Sequence, residues 1–555
     1  METLHLRDGV TRISDDSLAF VLFAPKKQSV YLIGDFNDWK TSEAYKMHQD
    51  GDRFWIKIGN LNKNQEYVCQ YLIDNKIRIA DPYSNKVTDP NATIADPAMV
   101  VSTKAETYNW KVPQFSVNHP QNLVIYEILI RDFTDKRSIK GVQEKIPYLK
   151  ELGVNAIELM PFNEFEGSDG WGYNPSFYFA PEKAYGTAND YKDFIDACHT
   201  NGMAVIMDMV LNHSYGQSPL VRMYQTAAGI PTADNPWYNT KSNFAVPDAQ
   251  WGYDFNHESK YTQAFVDSIC AYWMKEYKID GYRFDFTKGF SNTPHPATGT
   301  DNWGSLYDAA RIKNLKRIYD EIKKRKSDAI IICEHLAENK EEKELADYGF
   351  MLWGNLNYNM NEATMGWGEE REGSSFKGDI SWGSYKQRGW TKPNLVAYME
   401  SHDEERIMFK NKSYGKAESG YDVKNLATGL KRTEAAAVIL FSIPGPKMIW
   451  QFGELGYDFE LNNDRLGKKP IRWDYLNDSD RKSLHDVFAM MIDYHKNNST
   501  FSTMDYSIDL TGNFKMVTLR GSNETITVMA NFDVVPQTKN GVTLQPGEYK
   551  IDFSK

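Results

Sequence analysis

Eight short apolar runs separated by amphipathic stretches set the rhythm of the chain between residues 123 and 452. They are Leu123 to Ile130, Ala156 to Met160, Ala204 to Val210, Gly281 to Phe286, Ala329 to Cys333, Gly349 to Trp353, Leu395 to Met399 and Lys447 to Phe452. A run that is apolar on both faces suits a strand of a parallel sheet, whose two sides are both covered. Between these runs, Tyr191 to His199, Tyr261 to Tyr277 and Leu306 to Arg325 carry apolar residues three and four positions apart, the spacing that gives a helix one apolar stripe. Strands alternating with helices in this way predict a multidomain α/β protein built on a (β/α)8 TIM barrel, over residues 113–497. After the third run, a Gly-, Pro- and Asn-rich excursion from about 211 to 260 exceeds an ordinary strand-to-helix connection, which predicts a functional insertion over the barrel mouth.

The flanks read differently. Residues 1–112 carry short runs, Leu18 to Phe23, Val30 to Ile33, Phe54 to Ile58 and Tyr67 to Ile73, separated by Gly, Asn, Asp and Lys, and predict a small β domain. Val112 to Gln121, with two prolines, reads as a linker. A last amphipathic helix, Ser483 to His495, closes the barrel region. Beyond it, Met504 to Leu510, Phe514 to Arg520, Thr525 to Asn531 and Tyr549 to Phe553 predict a C-terminal antiparallel β domain over 498–555.

Composition narrows the partner class. Over 555 residues the formal net charge is −11, which argues against a nucleic-acid partner, because that binding draws on clustered Lys and Arg. Aromatic residues make up 14% of the chain, a supply of flat apolar faces for a ligand or for large cores. The four cysteines show neither metal-ligand nor disulfide spacing. The chain reads as soluble: no apolar stretch is long enough to span a membrane, and the start lacks the basic and apolar regions of an export signal.

The candidate chemistry sits at the downstream ends of the apolar runs. Asp208, Asp285, Glu334 and Asp403 all lie there, two of them beside Asn212-His213 or His402, and one two residues after Arg283. A single strand-end aspartate is often only a helix cap. Four such ends in one predicted barrel instead converge on the face where barrel enzymes do their chemistry. Glycosidic bond cleavage requires such a cluster: one carboxylate as nucleophile, one carboxylic acid to protonate the leaving group, and further charge to support an oxocarbenium-like transition state.

These residues stand in motifs that resemble the α-amylase superfamily, glycoside hydrolase family thirteen. Asp208-Met-Val-Leu-Asn212-His213, Gly281-Tyr-Arg283-Phe-Asp285, Cys333-Glu334 and Ser401-His402-Asp403 are similar to its four signatures, in order. Gly172-Tyr173-Asn174-Pro175 and the segment from Pro444-Gly445 to Gly453-Glu454 resemble its flanking signatures, and Trp251 to Asn256 the long-loop signature. Val30 to Trp39 resembles an isoamylase-type β-sandwich module. In that module Trp39 either stacks on a sugar or packs in the sandwich core, the latter at least as readily.

The resemblance implies Asp285 as nucleophile, Glu334 as general acid/base and Asp403 as transition-state stabiliser. It places Asp208, Tyr173, His213, Arg283, Lys288 and His402 around the substrate. Arg283 is expected to hold Asp285 ionised by lowering its pKa, Glu334 to sit where its pKa is raised, and the two histidines to donate to sugar hydroxyls. No cofactor is needed for the chemistry. Asn212 matches a calcium-ligand position, but Lys288-Gly289 replaces the Lys-His whose His carbonyl helps bind calcium in many α-amylases. The resemblance leaves the ion open.

The expected substrate is an α-glucan polysaccharide or oligosaccharide. The first expectation is retaining hydrolysis of α-1,4 bonds. Debranching at α-1,6 bonds and transfer to a second glucan, as in branching enzymes, are the alternatives, because barrel and triad share the first half-reaction with both. A non-catalytic glucan binder is a third reading, opposed by the intact set of charged residues.

Overall fold

The computed structural model describes residues 7–555. Its N-terminal part is a β-sandwich. One sheet pairs Gly9–Ser14, Ser17–Phe23, Arg53–Ile58 and His48–Asp50; the other contains Val30–Gly34, Tyr67–Ile73, Ile77–Ile79, Ala98–Val101 and Val87–Thr88. Alternation along the strands buries Leu18, Phe20 and Leu22 from one sheet against Val30, Leu32 and Tyr71 from the other. Trp39 is not in that core. It is half-buried at the sandwich surface, at φ +59°, with its indole N–H donating to Asp35 Oδ1 at 3.1 Å. The segment read as a linker is tied down: the N–H groups of Lys111 and Val112 each donate to the Asp196 carboxylate at 2.9 Å.

The barrel closes with all eight predicted strands: Val124–Ile128, Ala156–Leu159, Ala204–Met209, Gly281–Phe284, Ile330–Cys333, Met351–Asn355, Leu395–Tyr398 and Lys447–Trp450. The eighth pairs in parallel with the first, Val124 opposite Lys447 and Glu127 opposite Trp450. The predicted helices form at Ala188–Thr200, Lys260–Glu276, Ala309–Arg325 and Ser479–Asn497. Their starts show why the chain turns there: Thr187, Ser259, Asp308 and Asp478 each accept a hydrogen bond from a first-turn N–H. The excursion after the third strand contains a short helix, Pro219–Arg222, a single 3-10 turn, Pro247–Ala249, and a two-stranded ladder of His213–Ser214 with Tyr253–Asp254.

Successive side chains of each strand point alternately outward to the helices and inward. Deep in the interior, Ile125, Ala156, Ala204, Ile206, Ile330, Ile332, Met351, Val396 and Met448 belong to one buried apolar cluster, distinct from the core beneath the helices. The C-terminal sheet orders Tyr506–Asp509, Phe514–Arg520, Thr525–Asn531 and Tyr549–Ser554. It is fastened to the barrel by buried cations: Lys515 Nζ donates to the carbonyl of Gly378 at 2.6 Å, and Arg432 to those of Ala363 and Asp533 at 3.1 Å. Among the described residues no helix is long and apolar enough to cross a membrane.

Candidate active site

At the barrel mouth one guanidinium organises three carboxyl groups. The two-residue period of the fourth strand puts Arg283 and Asp285 on the same inward line. Arg283 Nη1 donates to Asp208 Oδ1 at 3.0 Å and to Asp285 Oδ1 at 2.9 Å, while Nη2 donates to Glu334 Oε2 at 2.8 Å. An always-charged planar fork is the side chain that can hold several carboxylates in fixed orientation. Arg283 and Asp208 are fully buried, whereas the side chains of Asp285 and Glu334 keep 14% and 19% of their surface exposed and open to the mouth.

Burial pushes Glu334 up to about 7; Arg283 opposes the shift, and the neighbouring charges of Asp285 and Asp403 add to it. Asp285 also titrates above the ordinary carboxylate range, against the expectation that Arg283 would hold it below. Burial is the larger effect, and the guanidinium that pulls the other way is shared with Asp208 and Glu334. Asp403 goes down: burial raises it, but His402 and Arg465 outweigh that. Arg465 forms an ion pair with the Asp403 carboxylate and donates to its main-chain carbonyl at 2.7 Å.

His402 is locked from below. Its Nδ1 lies 2.5 Å from Glu127 Oε1, and its N–H donates to Glu127 Oε2 at 3.0 Å. Burial disfavours the charged ring, but Glu127 overrides this and lifts the imidazole to about 9, so it is a cation at neutral pH. The protonated Nε2 can then donate to the Tyr173 hydroxyl, 3.1 Å away, which itself donates to Asp208 Oδ2 at 2.6 Å. The Tyr173 ring stacks on His402 with centroids 5.2 Å apart.

His213 is placed differently from the expectation of a free donor. Its Nε2 faces the carbonyl of Tyr173 at 2.9 Å and its Nδ1 the amide of Asn212 at 3.1 Å, so both ring nitrogens are engaged within the protein. Burial lowers it to about 4, which keeps it neutral and fixes the Tyr173 backbone. Lys288 is largely buried, its Nζ 3.5 Å from the Leu336 carbonyl on the Glu334 side of the mouth. Burial lowers its pKa, against the pull of Glu334.

Calcium takes six to eight oxygens, several of them from carboxylates. The Asn212 Oδ1 is buried without a hydrogen-bond partner, but it abuts Gly289 so closely that a Cβ there would lie 1.6 Å from it. Asp254, which pairs with His213, accepts from the amides of Asn239 and Asn243 on one oxygen, Oδ2, at 2.7 and 2.9 Å. Among the described residues no group of three or more His, Cys, Asp or Glu side chains is disposed to hold a metal.

Three members of the site were missed in the sequence. Glu127 and Glu158, register partners on the first two strands, are both fully buried. Neither carboxyl oxygen of Glu158 has a hydrogen-bond partner, and burial, with Glu127 and Asp208 nearby, raises its pKa well above normal. A glutamate in the middle of an otherwise apolar strand was the available signal. Arg465, in the loop after the eighth strand, carried none.

Closed barrel, strand-end carboxyls and shared arginine define a known architecture, and comparison with family models decides which. Residues 132–259 and 233–528 match, in two overlapping segments, the model described as alpha amylase, catalytic domain. The chain belongs to the alpha-amylase family. Residues 9–92 of this alpha-amylase family enzyme match carbohydrate-binding module 48, the isoamylase N-terminal domain. Malto-oligosyltrehalose trehalohydrolase of Saccharolobus solfataricus is 28% identical over 278 residues, 49% of this chain and 45% of the relative. A 1,4-alpha-glucan branching enzyme of Shewanella frigidimarina is 28% identical over 288 residues, only 36% of its own length. That of Pseudoalteromonas atlantica is 25% identical over 584 residues, 96% of this chain and 74% of the relative. Among solved structures, pullulanase type I from Bacillus subtilis superposes with a TM-score of 0.71 over 96% of this chain and 79% of that one. At 18% identity it shares the fold.

Proposed function

We propose that this enzyme cleaves α-1,4-glucosidic bonds of starch, glycogen or maltooligosaccharides with net retention, through a covalent glycosyl-enzyme intermediate. The observation that carries the reading is the anchoring of Asp285 and Glu334 on adjacent nitrogens of Arg283. Two carboxyls so held are close neighbours, which suits the roughly 5 Å separation of retaining enzymes and leaves little room for the water of an inverting one. Asp285 attacks the anomeric carbon as Glu334 gives its proton to the departing glycosidic oxygen. In the second step Glu334 takes a proton from an incoming water, whose oxygen bonds to the anomeric carbon as the bond to Asp285 breaks and the Asp285 carboxylate is restored. Asp403, held ionised by His402 and Arg465, stabilises the oxocarbenium-like ring in the transition state of each step. The cationic His402, its two ring nitrogens engaged by Glu127 and Tyr173, contributes the charge that keeps Asp403 ionised. No step passes through a metal.

The branching-enzyme relatives support a second reading, because one of them aligns along nearly the whole chain. In that case a glucan hydroxyl replaces water in the second step. Debranching at α-1,6 bonds is the remaining variant of the same chemistry. Assay on amylose, pullulan and glycogen separates them. Hydrolysis raises reducing ends on amylose, debranching raises them on pullulan, and branching shifts the iodine stain of amylose without raising them. If none of these changes occurs, the reading fails.

A further inference from the structure

Behind Glu334 runs a buried polar chain that the chemistry above does not use. Thr287, His335, Glu341 and Arg311 are all fully buried. The Thr287 main-chain N–H donates to the Glu334 carbonyl at 3.0 Å, and its hydroxyl lies 2.9 Å from that carbonyl and 2.7 Å from His335 Nδ1. On the far side of the ring, His335 Nε2 is 2.7 Å from Glu341 Oε1. Glu341 stands in the first turn of helix Asn339–Tyr348, forms an ion pair with Arg311 and accepts the Asp308 N–H at 2.7 Å.

These partners fix where the protons lie. Burial would raise Glu341, but His335 and Arg311 outweigh it and hold the carboxyl below the ordinary range. The ring itself is kept neutral, because burial lowers it and the cations Arg311 and Lys288 add to that against the pull of Glu341. An ionised Glu341 takes the one ring N–H at Nε2. Nδ1 is then an acceptor, and the single proton of the Thr287 hydroxyl points to it.

This contact joins the loops after the fourth and fifth strands between two left-handed residues. Phe286, just before Thr287, has φ +41°, and Leu336, just after His335, has φ +51°. Bulky residues keep such backbone only where their surroundings enforce it. Here the conformation has a use: the Phe286 N–H donates to Glu334 Oε2 at 3.0 Å, beside the bond from Arg283 to the same oxygen. Two donors on Oε2 leave Oε1 to carry the proton that the glycosidic oxygen receives.

We propose that Thr287 and His335, braced by Glu341 and Arg311, are positioning residues: a clasp that holds the Phe286 N–H on the Glu334 carboxyl and so aims the acid/base. This rests on the assignment of Glu334 to that role.

The test is the basic limb of kcat/KM on maltoheptaose, which in the wild-type enzyme falls near 7. A hydrogen bond donated to a carboxylate favours its charged form, so loss of the Phe286 contact should move the limb up by about one pH unit. Thr287→Val removes the hydroxyl at nearly constant volume, and His335→Gln keeps a donor for Glu341 while dropping Nδ1; both should show the shift, and Thr287→Ser should restore the wild-type limb. A limb that stays put in either folded variant, whatever the change in rate, overturns the clasp and assigns the Phe286 conformation to the packing of its ring on Phe244, 5.2 Å between centroids. Should His335→Gln not fold, Thr287→Val decides alone. Should the wild-type enzyme turn over no α-glucan, the acid/base assignment fails, and the clasp is judged by carbon NMR titration of the Glu334 carboxyl, the resonance absent from Glu334→Gln. The same upward move in Thr287→Val retains it as a brace of that carboxyl; an unchanged titration removes it.

Discussion

The deep and upper layers of the barrel interior are built by the same eight strands and differ in nearly every physical respect. Below lie Ile125, Ala156, Ala204, Ile206, Ile330, Ile332, Met351, Val396 and Met448, packed without a charge. One step of two residues higher on four of the strands stand Glu127, Glu158, Asp208 and Arg283, equally buried. The lower layer contributes stability by burial. The upper one is costly to desolvate and is tolerable only because its charges are shared: Arg283 among three carboxyls, Glu127 with His402. The contrast shows how a barrel keeps reactive groups rigid: the apolar floor fixes the strands, and the strands aim the polar tier.

The contrast breaks most sharply at Asp285. Asp285→Asn adds no volume and should lower turnover by several orders of magnitude with an unchanged circular dichroism spectrum, because it removes the nucleophile; near-normal rates would show that another group attacks. Ile206→Ala in the floor should do the reverse, costing about 2–5 kcal/mol in denaturant unfolding while turnover per folded molecule stays close to that of the parent. A large loss of turnover there would mean that the two layers are not separable.

A smaller effect concerns pH. Glu334 must carry its proton to act, and it titrates near 7. As pH rises through that value the acid is lost, so kcat/KM on maltooligosaccharides should fall about tenfold per unit above it. Glu334→Gln measured on a glycosyl fluoride, which needs no acid, should lack that limb; its persistence would assign the limb elsewhere. The smallest change belongs to Glu158. A carboxyl held neutral by burial is closely mimicked by its amide, so Glu158→Gln should shift stability by no more than about 1 kcal/mol. A loss of several kcal/mol would show that this carboxyl is ionised and paired.

Much of this was legible along the chain. The eight strands were readable because a strand covered on both sides must be apolar on both, and Asp208, Asp285, Glu334 and Asp403 stood out where those runs stop. Less legible were the residues whose meaning depends on a partner. Glu127 looked like an interruption in a strand, yet it holds His402, 275 positions away. His213 looked like a free ligand, and the structure engages both of its nitrogens. Trp39 stood between core and surface until the sandwich placed it half-exposed.

By itself, then, the sequence determined the elements, their order, and the strand ends where chemistry belongs, because hydrophobic period and local caps act over a few residues. Only the tertiary structure decided how charge is apportioned. That one guanidinium serves three carboxyls, that burial raises Asp285 against its pull, and that two amides converge on Asp254 Oδ2 all follow from which side chains barrel closure brings within 3 Å. Closure is a property of all eight strands together, and no local pattern encodes it.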